Sequence, residues 1–176
     1  MKLYYAPGAC SLSPHIVANE LGVAFELEKV DNKAKRTASG RDYWQINPKG
    51  YVPALELDNG EVLTEGPAIV QYLADQKPTA GLAPANGTFA RARLQEMLGY
   101  INSEIHKTYS PLFKAEIPAE TRSERLAYLQ RRYEFIEKIL AKQEWLVGDR
   151  FTAADAYLFT VTRWADGVKL DLSAFP

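Results

Sequence analysis

The single cysteine of this chain, Cys10, stands where a thiol could do chemistry, in the stretch YYAPGACSLS. Residues 2–5 predict a strand and the residues after Cys10 predict a helix, so the thiol lies at a strand-to-helix turn. Open N–H groups and the positive dipole end at a helix start favour a thiolate over a thiol. Ser11 and Tyr5 are hydroxyl donors nearby in the sequence, although we expect Tyr5 to pack or hydrogen-bond near Cys10 rather than to activate it. An isolated cysteine is usually a small buried residue, but this placement favours a reactive one.

Two further stretches present groups suited to an amino acid. Val52 precedes Pro53, which opens a predicted strand. If their peptide bond is cis, the backbone groups of Val52 turn outward and are free to pair with an extended, peptide-like ligand. Glu65 precedes Gly66-Pro67 at a predicted helix start, where open N–H groups suit a carboxylate and the charge of Glu65 suits an amine. An amine and a carboxylate on one carbon, as in an amino acid, would satisfy both groups.

The composition is that of an ordinary globular protein and excludes several functions. Of 176 residues, 47% are hydrophobic and 24% charged, and the formal net charge of -1 gives no bulk attraction for nucleic acid. One cysteine excludes an intramolecular disulfide and favours a reducing compartment. The sequence contains no signal peptide, membrane span, metal-ligand cluster or glycine-rich phosphate loop. We therefore expect a cytoplasmic protein without a metal and without a nucleic-acid or membrane partner.

The order of predicted elements divides the chain into two domains. Residues 1–77 predict a strand, a helix, a strand, a polar loop with a short helix, a hairpin at Asn59-Gly60 and a second helix. This βαβ unit joined to a ββα unit predicts one mixed sheet with helices packed on it. Residues 78–86 are rich in Pro, Gly and Ala and predict a linker, and residues 87–176 predict a helical bundle.

Helix ends are predicted from capping residues. Ser11 or Ser13 is expected at the N-cap of the first helix, and Gly22 is expected to end it. Capping boxes are predicted at two helix starts in the second half, formed by Thr121 with Glu124 and by Thr152 with Asp155.

Several motifs resemble those of bacterial beta-class glutathione transferases: Y-x-x-x-x-C-S around Cys10, NPKGYVPAL, LTEGPAIVQYL and FTAADAYLF. The resemblance extends from Met1 to about Phe175, and Cys10 together with His106-Lys107 indicates the beta class. It implies an α/β thioredoxin-like N-terminal domain followed by an all-α bundle, in a cytosolic homodimer. Family members normally continue beyond SAFP with a closing helix, so we expect the chain to be a fragment or to lack that helix.

In the N-terminal half, the resemblance assigns contacts with glutathione to individual residues. It implies that Cys10 faces the sulfur of glutathione and can form a mixed disulfide with it, and that Lys35 meets the glycine carboxylate. The backbone at Val52-Pro53 would pair with the cysteinyl part, and Glu65 and Gly66 would hold the γ-glutamyl end. The family often has Ser at position 66, so one side-chain hydrogen bond is expected to be missing.

In the C-terminal half, the resemblance implies that His106 and Lys107 face the sulfur. It also implies that Ser103 and Glu104 reach the glutathione of the partner subunit. Gly99 stands where the family often has Asn, so this chain departs from the family pattern at that cross-subunit contact.

Three functions follow from these residues. The first is a transferase that conjugates glutathione, its co-substrate, to small hydrophobic or xenobiotic electrophiles. The second is glutathione-dependent disulfide exchange, because CSLS has the Cys-x-x-Ser spacing of one-cysteine glutaredoxins and lacks a second thiol to resolve a mixed disulfide. The third is a non-catalytic ligand-binding module that keeps the fold without turnover.

Overall fold

A computed structural model describes residues 1–175, which fold into two compact units, Met1–Ala83 and the segment beginning at Pro84. The first unit contains one mixed sheet in the order β3-β2-β1-β4-β5. Its strands are β1 (Lys2–Tyr5), β2 (Glu26–Asp31), β3 (Arg36–Thr37), β4 (Ala54–Glu56) and β5 (Val62–Thr64). Strand β1 is parallel to β2 and antiparallel to β4, and β4 pairs with β5 in the hairpin predicted at Asn59-Gly60. The predicted α/β unit followed by a helical unit is confirmed.

Two helices complete the first unit, α1 (Leu12–Leu21) and α2 (Gly66–Asp75). They pack against each other, and α2 also contacts β4 and β5. Between β2 and β4 the chain forms the two-residue β3 and a 3-10 turn at Tyr43–Gln45, where the sequence predicts a loop with a short helix. The turn stays short because Pro48 disfavours helical backbone at Asn47.

The start of α1 differs from the prediction in one respect. Ser11 occupies the N-cap position, but its hydroxyl makes no capping bond. Its Oγ instead accepts the N–H of Ala6 at 3.2 Å and donates to the carbonyl of Ala6 at 3.3 Å. The Ser13 hydroxyl donates to the carbonyl of Cys10 at 2.9 Å. The two bonds of Ser11 tie the turn that carries Cys10 to Ala6, directly after β1. Gly22 ends α1 with a φ of 63°, as predicted.

The second unit begins with a long helical segment. Helix α3 (Phe89–Tyr100) continues into a π-helical segment (Ile101–His106), a short α4 (Lys107–Tyr109) and a 3-10 turn (Ser110–Phe113). The unit also contains α5 (Ala119–Leu140), α6 (Ala153–Thr162) and α7 (Ala165–Val168). Within residues 1–175, none of the helices has both the length and the apolar character needed to cross a membrane.

Of the two predicted capping boxes, one is confirmed. Thr152 and Asp155 form a capping box at the start of α6, where Asp155 accepts the N–H of Thr152 at 2.8 Å. The box predicted at Thr121 is wrong, because α5 begins earlier, at Ala119. Pro118 takes the N-cap position there, and its carbonyl accepts the first helical bond, from the N–H of Arg122 at 2.9 Å.

Candidate functional site

Residues 47–53, which we call the 47–53 turn, lead into β4 and are held from inside the first unit. Asn47 is buried, and its side chain spans the turn by accepting the N–H of Lys49 at 3.1 Å and donating to the carbonyl of Tyr51 at 2.7 Å. The buried Tyr43 donates to the same carbonyl at 2.9 Å. Burial raises the pKa of Tyr43 to about 12, so its hydroxyl remains a donor at neutral pH. The buried side chains of Asn47 and Tyr43 therefore hold the 47–53 turn in its conformation.

The 47–53 turn contacts three of the side chains that the sequence singles out in the first unit. The hydrogen bonds are Lys49 Nζ to Glu65 Oε1 at 2.8 Å, Lys35 Nζ to the carbonyl of Gly50 at 2.8 Å, and Cys10 Sγ to the carbonyl of Val52 at 3.3 Å. The thiol of Cys10 and the ammonium group of Lys35 thus meet the backbone of this turn, and the carboxylate of Glu65 meets the side chain of Lys49 within it.

Cys10 is partly exposed at the entrance to α1. Cys10 Sγ lies 3.3 Å from the carbonyl oxygen of Val52, to which a thiol can donate a hydrogen bond. The Val52-Pro53 peptide bond is cis, as the expected outward turn of the Val52 backbone groups requires. The hydroxyl proton of Ser11 goes to a carbonyl rather than to the thiol, and Tyr5 makes no side-chain hydrogen bond within the described residues.

Lys35 is surrounded by groups that sequence reasoning missed. Its Nζ lies 5.7 Å from the ring centroid of Trp44 and 5.9 Å from that of Tyr51. Both rings are exposed, at 48% and 70% respectively. Trp44 also packs on Gly50, where a Cβ would lie 2.5 Å from the ring. The aromatic rings and the Gly50 carbonyl hold the ammonium group at the surface, where a carboxylate can reach it.

Glu65 and Gly66 lie at the start of α2. Glu65 has a φ of 72° and an exposed side chain that pairs with Lys49. Gly66 is the first residue of the helix, and a Cβ added there would meet no atom within 4 Å. Sequence reasoning missed Lys49, for which the motif NPKGYVPAL was the only signal.

In the second unit, His106 is the last residue of the π-helical segment and belongs to a hydrogen-bond chain. Its Nδ1 lies 2.6 Å from the Tyr157 hydroxyl, which donates to Oδ1 of Asn102 at 2.9 Å. Because that hydroxyl has a single proton, His106 is the donor in the first bond and carries its proton on Nδ1. The ring of Trp164 packs edge-on at 4.9 Å from the imidazole. Asn102 and Tyr157 therefore fix the tautomer of His106, and π-helical segments often occur at functional sites.

Replacing Tyr157 by Phe should release this tautomer. The ring packing against His106, with centroids 5.9 Å apart, is kept, but the acceptor for Nδ1–H is lost. We expect the imidazole ¹⁵N shifts of His106 to report Nδ1–H in the wild type and a mixture of tautomers in Tyr157→Phe. A wild-type spectrum dominated by Nε2–H would contradict this assignment.

The neighbours of His106 differ in their contacts. Ser103 Oγ donates to the carbonyl of Gly99 at 3.0 Å. The carboxylate of Glu104 accepts a hydrogen bond from Tyr128 and lies 3.5 Å from Nε of Arg132. The Lys107 side chain is exposed and makes no hydrogen bond or ion pair with any described residue.

Among residues 1–175, no group of three His, Cys, Asp or Glu side chains is arranged to hold a metal ion.

Comparison with protein families gives two matches. The glutathione S-transferase N-terminal domain matches residues 1–75, and the glutathione S-transferase C-terminal domain matches residues 100–176. The chain is 48% identical over 172 residues to glutathione S-transferase GstA of Escherichia coli O157:H7, covering 98% of this chain and 86% of that protein. It is 37% identical over 180 residues to glutathione S-transferase GST-4.5 of Xanthomonas campestris pv. campestris, with coverage of 98% and 86%.

The chain is also similar to solved structures of glutathione transferases. The structure is similar to that of a ternary complex of BphK, a bacterial glutathione transferase, with a TM-score of 0.98 and 52% identity, covering 100% of this chain and 88% of that one. It is also similar to a sphingomonad glutathione S-transferase complexed with glutathione, with a TM-score of 0.97, 43% identity and coverage of 100% and 88%. A beta-class enzyme of Sphingomonas chungbukensis matches with a TM-score of 0.96, 44% identity and the same coverage.

Proposed function

Because the chain belongs to the glutathione S-transferase family, we propose that it binds glutathione at the 47–53 turn and conjugates its thiol to a small electrophile. The observation that carries this proposal is the meeting of Cys10, Lys35 and Glu65 at that turn. Glutathione is an extended tripeptide with a carboxylate at its glycine end, an ammonium group and a carboxylate at its γ-glutamyl end, and a thiol between them. Such a ligand needs two oppositely charged anchors and backbone groups for its own main chain.

Each group at the turn suits one part of the tripeptide. Lys35 would bind the glycine carboxylate, and Glu65 would bind the ammonium group of the γ-glutamyl end. The backbone of Val52 would pair with the cysteinyl residue, which brings the ligand's sulfur toward Cys10. Pro53 and Gly66 complete this surface as the neighbours of Val52 and Glu65.

In conjugation the nucleophile is the sulfur of glutathione itself. The thiol loses its proton to solvent, and the thiolate attacks an electrophilic carbon. With a chloroarene, a carbon–sulfur bond forms and chloride leaves with the electron pair of the broken bond. Since a thiolate is already a strong nucleophile, most of the rate comes from placing it and stabilising its charge.

The roles proposed for residues of the second unit are those that the family resemblance implies. His106 and Lys107 are proposed to act on the sulfur, and Ser103 and Glu104 on the glutathione of a partner subunit. We propose a cytoplasmic homodimer as the working form.

The proposed function is tested by adding the purified chain to glutathione and chlorodinitrobenzene and following product absorbance. We expect conjugation above the uncatalysed rate, saturable in glutathione. Lys35→Met should raise KM for glutathione about tenfold, because a charged hydrogen bond to the carboxylate is lost. A folded chain that binds glutathione without accelerating the reaction would favour a ligand-binding module instead.

Disulfide exchange is a second candidate function, favoured by the partly exposed thiol of Cys10 beside Val52. The Cys10 thiolate would attack the glutathione sulfur of a mixed disulfide, forming a Cys10–glutathione bond and expelling the other thiolate. A second glutathione thiolate would then attack that bond, producing glutathione disulfide and restoring Cys10. No second cysteine is needed, because glutathione resolves the intermediate.

A further inference from the structure

Tyr4 connects the core of the first unit with a pair of charged side chains. It is fully buried and packs in a hydrophobic cluster that also contains Tyr43 and Val52. Its hydroxyl donates a hydrogen bond to the carboxylate of Glu56 on β4 and accepts one from Nη1 of Arg41 at 2.9 Å. The same Nη1 lies 3.5 Å from the carboxylate. We call Tyr4, Arg41 and Glu56 the Tyr4 network.

The buried tyrosine distinguishes this network from an ordinary surface ion pair. Exposed ion pairs contribute little to stability, and the side chain of Arg41 is half exposed. The hydroxyl of Tyr4 has no access to water, so it depends on the two charged groups for its hydrogen bonds. Burial raises the pKa of Tyr4 well above its usual range, and the hydroxyl therefore remains a donor at neutral pH. The network thus fixes Arg41 on the sheet.

Arg41 belongs to the segment 36–42, which follows Lys35 and returns the chain to it. The N–H of Thr37 donates to the carbonyl of Arg41 at 3.0 Å, and the N–H of Tyr43 donates to the carbonyl of Lys35 at 2.8 Å. Lys35 has a φ of 54°, a conformation that costs free energy in a residue with a side chain. Contacts with the rest of the first unit must therefore hold its backbone in place.

Tyr43 links this segment to the 47–53 turn. Its N–H holds the backbone of Lys35, and its hydroxyl donates to the carbonyl of Tyr51 at 2.9 Å. Its ring centroid lies 5.8 Å from that of Tyr4. Another carbonyl of the same turn accepts the hydrogen bond of the Lys35 ammonium group. Both ends of Lys35 are therefore held by groups that contact Tyr43.

We propose that the Tyr4 network positions Lys35 for glutathione, by fixing the segment whose return to Lys35 sets the place of its ammonium group. This inference rests on the proposed function, in which Lys35 binds the glycine carboxylate and no member of the network touches the ligand. Asn47 holds the 47–53 turn independently, through its bond to the carbonyl of Tyr51. Loss of the network should therefore weaken only those ligands that carry the glycine carboxylate.

Calorimetry on the full chain with two ligands tests this proposal. They are glutathione and its glycinamide analogue, γ-glutamyl-cysteinyl-glycinamide, in which a neutral amide replaces the glycine carboxylate. Arg41→Met should weaken glutathione about fivefold and the glycinamide by less than about twofold. Lys35→Met should show the same selectivity. The double variant should bind glutathione no more weakly than Lys35→Met, because the network then has no ammonium group to position.

Two further variants serve as controls. Lys2→Met breaks another ion pair of the same sheet, with Glu26 at 3.4 Å, and should leave both affinities unchanged. Tyr4→Phe removes the hydroxyl and keeps the ring that packs against Tyr43, so it should show the selective loss of Arg41→Met. It carries the test if Arg41→Met does not fold, which urea unfolding of each variant establishes.

Unchanged affinities in Arg41→Met and Tyr4→Phe, or equal weakening of the two ligands, would overturn the role of the network. A loss in the double variant equal to the sum of the two single losses in binding free energy would also overturn it. These results leave the proposed function intact when Lys35→Met is selective. A wild-type chain that binds neither ligand overturns the proposed function as well.

Discussion

Cys10→Ala is expected to abolish glutathione-dependent disulfide exchange and to leave conjugation within about tenfold of the wild-type rate. In exchange, the sulfur of Cys10 forms and breaks a covalent bond, so its removal should lower the rate by at least about a hundredfold, to the uncatalysed level. In conjugation, glutathione supplies the reacting sulfur, and Cys10 only assists from beside it. Reduction of a mixed disulfide of glutathione and conjugation of chlorodinitrobenzene measure the two activities on the same preparation.

Cys10→Ser is the matched control, because a hydroxyl keeps the size of the side chain and can donate to the carbonyl of Val52 as the thiol does. We expect it to lose exchange and to conjugate at least as well as Cys10→Ala. Equal loss of both activities in both variants would contradict the proposed mechanism, in which Cys10 only assists conjugation. Exchange that survives in Cys10→Ala would exclude Cys10 as its nucleophile.

Gly50→Ala is expected to cause the second large effect, a loss of glutathione affinity of at least about tenfold together with about 1–3 kcal/mol of stability. Gly50 has a φ of 70°, which disfavours any side chain, and a Cβ would lie 2.5 Å from the ring of Trp44. Either the ring or the turn must move, and the Gly50 carbonyl that holds Lys35 moves with the turn. Calorimetric titration with glutathione and urea unfolding measure the two effects separately.

Gly60→Ala separates backbone strain from the contact with Trp44. Gly60 has a φ of 85° in the hairpin loop, and a Cβ there would meet no atom within 4 Å. We expect Gly60→Ala to lose stability by a similar amount and to bind glutathione as the wild type does. Equal affinity in all three proteins, or equal weakening in both variants, would contradict a specific role for the 47–53 turn.

Much of the fold could be predicted because its signals are local. The Asn59-Gly60 pair marks the hairpin, Gly22 ends α1, and Thr152 with Asp155 caps α6. Each of these depends on the conformational preferences of a few neighbouring residues.

The missed features depend on competing or distant partners. The Ser11 hydroxyl bonds Ala6 instead of capping α1, because the chain turns back toward β1 there. The π-helical segment that ends at His106 keeps the three- and four-residue apolar spacing of an ordinary helix, so no pattern distinguishes it. At Thr121 the capping-box pattern was present, but the proline at position 118 starts the helix earlier.

Some residues of the candidate site could likewise be identified from local sequence signals, and others could not. Cys10 and Glu65 could be identified from their places next to predicted helices. Lys35 stands in the basic cluster KAKR, and nothing in that cluster predicts that it meets Trp44 and Tyr51. Lys49 could not be identified, because its contact with Glu65 depends on how β5 and the 47–53 turn are brought together.

Titration of the wild-type chain with glutathione, by calorimetry at two temperatures, tests the central claim most directly. The account predicts a saturable heat with about one tripeptide bound per chain. It also predicts a lower affinity for glutathione in the Lys35→Met protein. If a chain that unfolds cooperatively gives no binding heat at either temperature, the first unit does not recognise the tripeptide and the proposed function is wrong.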